Sequence, residues 1–143
     1  MTRREVEALQ GALAAEYAVD WGYDLVGGKV PTALQPAVRT AQAPHVDLQS
    51  VAAAAIRARH ADPVAPQPAY QLPFPVTGEP SALRLAAHLE DGAAAAWRFL
   101  LGTTADRALR RTAAGALSAA AVQATRWRVR AGTSPASQPF PGM

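Results

Sequence analysis

The sequence predicts an all-α fold, a bundle of four helices, on three observations. Alanine, the best helix former, supplies much of the apolar half of the chain. Aromatic and β-branched residues, which favour sheets, are sparse, with aromatics at 6%. Between alanine-rich stretches lies Ala61 to Pro80, with prolines at 63, 66, 68, 73, 75 and 80. Proline fixes φ and removes a donor, so no helix passes through it.

The first helix is expected from about Thr2 to Val26. Thr2 and Glu5 have capping-box spacing. Val6, Leu9, Leu13, Glu16, Asp20 and Tyr23 form an inward stripe, and Gly27-Gly28 with Pro31 ends it. The second is expected from about Thr32 to His60, with Val38, Ala41, His45, Leu48, Ala52 and Ile56 facing in. Pro36 fits its first turn, whereas Pro44 predicts a kink or break just before His45. The third runs from a Ser81 cap to about Leu101, with Leu83, Glu90, Trp97 and Leu101 inward. The fourth starts at a Thr104 cap and ends at Ala131, before Gly132, with Leu109, Ala113, Ala120, Gln123 or Ala124, and Trp127 inward.

Two connections are short and one is long. Extended at about 3.1 Å per residue, the proline-rich stretch reaches roughly 60 Å. A helix of about 25 residues is about 38 Å long. The stretch can therefore run the length of a bundle and start helix 3 at the far end. That short–long–short pattern is the topology of a ferritin-like four-helix bundle with one crossover, helices 2 and 3 running parallel. Residues 1–132 form this bundle, with the crossover at 61–80, and residues 133–143 are a Pro/Ser/Gly-rich tail.

A chain of 143 residues suffices for one domain with a core. It has no cysteine, which excludes disulfides, thiolate metal sites and cysteine nucleophiles. Thirteen arginines and one lysine, Lys29, give a net charge of +3. Six of those arginines make helix 4 basic, but no nucleic-acid motif accompanies them, and a solvated face is the plainer reading. There is no apolar run long enough to span a membrane, and Glu5 and Glu7 stand where a secretory signal needs apolar residues. The expected location is cytoplasmic.

Glu16, His45 and Glu90 lie near the middles of three helices, on their inward stripes. A carboxylate is costly to bury unpaired, so the three want one another, a metal or an arginine. The di-iron template puts a Glu on each of two helices and Glu-x-x-His on the other two. Glu16 and Glu90 take the single-Glu places. Helix 2 offers Gln42-Ala43-Pro44-His45, with glutamine where the bridging Glu belongs, and helix 4 has no such motif. Two carboxylates and an imidazole would suit Fe, Mn or Zn. The alternative is a metal-free polar cluster of Glu16, His45, Glu90, Gln123 and Arg126, with Arg126 supplying the cation. His60 and His88 read as surface residues. Trp21, Trp97, Trp127, Tyr17 and Tyr23 read as packing, and their bulk in a narrow bundle suggests a homodimer.

Several segments together resemble a known family. They are Glu16-Tyr17-Ala18, His45, Leu72-Pro73-Phe74-Pro75-Val76-Thr77, Leu89-Glu90-Asp91, Ala124-Thr125-Arg126-Trp127-Arg128 and Pro139-Phe140-Pro141-Gly142. The chain is similar over nearly its whole length to the actinobacterial ferritin-like family known as domain of unknown function 4439. The resemblance implies the bundle and no established activity. No catalytic residue and no cofactor follow from it, nor any membrane, nucleic-acid or small-molecule partner. The reading is a non-catalytic binding or assembly protein with a degenerate metal centre. The alternative is a metal-binding Fe or Mn oxidoreductase using Glu16, His45 and Glu90.

Overall fold

The computed structural model describes residues 2–143, and these contain four α-helices and no strand. Helix α1 spans Arg3–Gly27, α2 Gln35–Arg57, α3 Glu79–Thr103 and α4 Arg107–Ala131. A 3-10 turn at Thr32–Leu34 leads into α2. The Thr2 hydroxyl caps α1 by accepting from the Glu5 N–H. Glu5 does not close a capping box; its carboxylate is engaged elsewhere, as described below.

The helices depart from the sequence expectation in several places, α2 spanning Gln35–Arg57 rather than Thr32 to His60. α3 begins at Glu79, with Pro80 in its first turn, where a missing N–H leaves no bond unmade. Ser81 is therefore inside the helix, and its Oγ accepts from the Thr77 and Gly78 amides. α4 is capped by Asp106, whose Oδ1 accepts from the amides of Ala108 and Leu109. Thr104 instead ends α3. α2 runs unbroken through Pro44, which is exposed. Gly132 closes α4 at φ 71°, a left-handed conformation that suits a residue without Cβ.

The helix directions follow from side-chain ties at the ends. Glu5 near the start of α1 meets Arg59 just past the end of α2 and Thr104 at the end of α3. Asp106 at the start of α4 meets the same Arg59. α1 is thus antiparallel to α2 and α3, and α2 and α3 run parallel. The crossover makes this possible. Its alternate residues Leu72, Phe74 and Val76 pack on the core while Pro73, Pro75 and Thr77 face solvent, the period-2 pattern of extended chain.

α1 packs closely on α2 and α3, and α3 on α4. α2 lies close along α1 alone. The apolar core has two parts. One gathers Val19, Tyr23, Leu85 and Trp127; the other gathers Leu9, Leu13, Ile56, Trp97 and Leu109. Trp97, Trp127 and Tyr23 are fully buried. Trp21 is half-buried and packs at a tilt against Tyr70 of the crossover, ring centroids 5.8 Å apart, and half-buried Tyr17 packs on the second part. Of the five Trp and Tyr residues of the bundle, three are thus fully buried within one chain and Trp21 and Tyr17 are covered in part, while Phe99 on α3 is exposed. No helix is long and apolar enough to cross a membrane. The tail folds back on α3, where Arg98 donates to the Pro141 carbonyl at 3.0 Å.

Candidate functional site: a buried carboxylate–imidazolium–carboxylate layer

Between the two apolar parts lies a polar layer. Glu16 on α1, His45 on α2 and Glu90 on α3 meet there, all buried. Their mid-helix positions and the helix directions bring them to one level. The His45 Nδ1 lies 2.5 Å from Glu16 Oε2, and its Nε2 lies 2.7 Å from Glu90 Oε1. A carboxylate accepts and cannot donate, so a ring flanked by two of them carries a proton on each nitrogen. His45 is an imidazolium. Burial works against its charge, but hydrogen bonds to Glu16 and then Glu90 outweigh it and hold the pKa at about 10.

Aromatic donors complete the layer. Trp97 Nε1 donates to Glu16 Oε1 at 2.6 Å, so both oxygens of Glu16 are satisfied. The Tyr23 hydroxyl donates to Glu90 Oε1 at 2.7 Å and accepts from Trp127 Nε1 at 2.8 Å. Burial, and then the Glu90 carboxylate beside it, push the Tyr23 phenol well above its usual pKa. The result is a continuous chain, Trp127–Tyr23–Glu90–His45–Glu16–Trp97. Glu90 Oε2 stands outside it, buried and with no hydrogen-bond partner. One imidazolium against two carboxylates leaves one net negative charge, and this oxygen is where it is least compensated.

Two residues expected in the cluster are not in it. Arg126 is exposed and, among the described residues, forms no ion pair. Its neighbour Trp127 points into the core, and adjacent helical residues diverge by about 100°. Gln123 is half-exposed, while Ala124 takes the inward place. Gln42 turns away from the centre and donates to Asp20 and Asp24 at 2.9 Å. The hydrogen-bonding role of Tyr23, Trp97 and Trp127 was hidden because their spacing reads as core packing. The available signal was chemical: a buried indole or phenol needs a partner.

The residues fit a metal ion poorly. An imidazole binds metal through a deprotonated nitrogen, and both nitrogens of His45 are committed as donors. Among the described residues no group of three His, Cys, Asp or Glu is disposed to hold one.

A second polar cluster ties the bundle end. Arg59 Nε donates to Glu5 Oε2 at 3.0 Å, and the Thr104 hydroxyl donates to Glu5 Oε1. The Arg59 bond, then that of Thr104, holds the Glu5 carboxyl below its ordinary pKa despite burial.

Between α2 and α4 a cleft of about 460 Å³ leads down to His45 and Glu90. Thr40 and Pro44 line one side, Ala119, Ala120, Gln123 and Arg126 the other.

Fold and centre together define a one-crossover four-helix bundle with a charged layer buried in its core. Residues 8–143 match the family described as Domain of unknown function (DUF4439), and the chain belongs to that family. It is similar to the crystal structure of a conserved hypothetical protein, rv2844, from Mycobacterium tuberculosis. The TM-score is 0.88 at 31% identity, over 91% of this chain and 98% of that one. No curated protein matches the chain.

Proposed function

We propose that the protein is a non-catalytic binding bundle of ferritin-like descent, in which the His45 imidazolium stands where a metal would. One observation carries this reading: both ring nitrogens of His45 bond carboxylates on two different helices. A cation that must neutralise two facing carboxylates can be a metal ion or a protonated side chain, and here the side chain does so.

The test combines metal content with protonation state. Protein purified without chelator is expected to hold well under one equivalent of Fe or Mn. Nitrogen NMR should show protons on both His45 ring nitrogens at neutral pH. Stoichiometric metal that is lost on Glu16→Gln would overturn the reading. It would favour the second one, a metal-binding Fe or Mn oxidoreductase, for which the unpartnered Glu90 Oε2 is the supporting observation.

A further inference from the structure

The α2–α4 cleft joins two groups that the polar layer does not use. At its floor is Glu90, fully buried, whose Oε2 has no partner. At its rim is Arg126, exposed and in no ion pair among the described residues. A third feature comes from Pro44. Lacking an N–H, it cannot donate the helical bond to the Thr40 carbonyl, and Thr40 and Pro44 both line the cleft. An anionic oxygen and a freed carbonyl both call for a donor. The free guanidinium calls for an acceptor. Between them the lining is small and apolar, with Leu48, Ala116, Ala119 and Ala120.

We propose that this cleft binds a small zwitterion, an amino-carboxylate whose ammonium pairs with Glu90 Oε2 and whose carboxylate pairs with Arg126. Each end explains one unpaired group, and the lining takes the hydrocarbon between them. A simple metal ion meets one free carboxylate oxygen and no free imidazole nitrogen. A simple organic cation leaves Arg126 unused and is repelled by it. The volume is that of an ordinary small-ligand site. Glu90 Oε2 is closed off from bulk water, so the ligand must part α2 from α4, a pair that does not pack closely. The inference rests on the reading of His45 as the internal cation, because a metal at the centre would consume Glu90.

The experiment uses the full chain, treated with chelator, and follows amide NMR shifts of Thr40, Ser118, Ala119 and Gln123. The probes are ω-amino-carboxylates of graded chain length, with the matching alkylamines and alkylcarboxylates. One or more amino-carboxylates should shift the cleft signals saturably, and the singly charged analogues should bind about tenfold more weakly or worse. Arg126→Met changes an exposed residue outside the buried layer, so its fold should persist. It should weaken amino-carboxylate binding about tenfold or more and bring it down to that of the alkylamine. Equal binding by the alkylamine to the parent, or full affinity in Arg126→Met, overturns the proposal. So does the absence of saturable shifts with every probe, which would mean that Glu90 Oε2 is satisfied by water alone. None of these outcomes bears on metal content, so this inference can fail while the metal-free centre stands.

Discussion

At the residue scale the protein turns on His45. Without it, Glu16 and Glu90 would face each other with like charges in a dry layer. His45→Ala should destabilise the fold by about 3–5 kcal/mol, the usual cost of orphaning a buried charge. Adding Glu16→Gln and Glu90→Gln in that background should recover part of the loss, and urea unfolding of the set measures both effects. Arg126→Met should unfold close to the parent, since Arg126 contributes nothing to the layer. The same residue sets a pH dependence. The folded pKa of His45, about 10, lies above the ordinary 6.5, so the folded state binds the proton more tightly than the unfolded one. Its contribution is full below about pH 6.5 and fades as pH rises through about 10. Stability measured across that alkaline window should fall, and His45→Ala should flatten the fall. The three members of the layer were legible in the sequence because each breaks an apolar stripe at mid-helix. The identity of the cation was less so: Arg126 and Trp127 are neighbours on one helix, and only packing decides which turns inward.

At the element scale, α2 is the unusual helix. It carries Pro44 in its exposed interior and still runs from Gln35 to Arg57. Sequence reasoning anticipated a kink or break there, because a proline ring removes one bond and crowds the preceding turn. An unbroken helix means that tertiary packing of Val38, Ala41, Ala52 and Ile56 outweighs the lost bond. Pro44→Ala should then raise stability by up to about 3 kcal/mol, read as a higher urea midpoint. An unchanged or lower midpoint would show that the local backbone depends on the ring. The starts of α3 and α4 were misplaced by three and two residues for a related reason. Ser81 and Thr104 are good cap residues by type, yet Gly78 and Asp106 take those roles. Local preference names candidates, and the geometry of the incoming chain selects among them.

At the scale of the whole molecule, the loop lengths alone made the topology readable. A connection of about twenty proline-rich residues has no use between antiparallel neighbours, and parallel α2 and α3 require one. The return of the tail onto α3 was not readable, because a Pro/Ser/Gly-rich composition says nothing of where it docks. The tail leaves a test at Gly142. It sits at φ 82°, and a Cβ there would lie 2.8 Å from the Ala94 carbonyl oxygen of α3. Gly142→Ala should lift the tail and expose it to faster proteolysis, with the melting temperature of the bundle little changed. A tail as resistant as the parent's would show that it docks by other contacts.

The position of α2 at the edge of the packing has a consequence for how the molecule opens. α1, α3 and α4 form a continuously packed set, whereas α2 rests closely on α1 and reaches α3 through the His45–Glu90 bond. A long crossover on its far side lets it move without dragging α3. α2 is therefore the hinged door of the bundle, with the imidazolium as its latch. Amide hydrogen exchange should show α2 opening as a unit well below the free energy of global unfolding, while α1 and α3 exchange together and last. In His45→Ala the gap between the two should widen. If α2 instead exchanges in step with α1, the door and the frame are one.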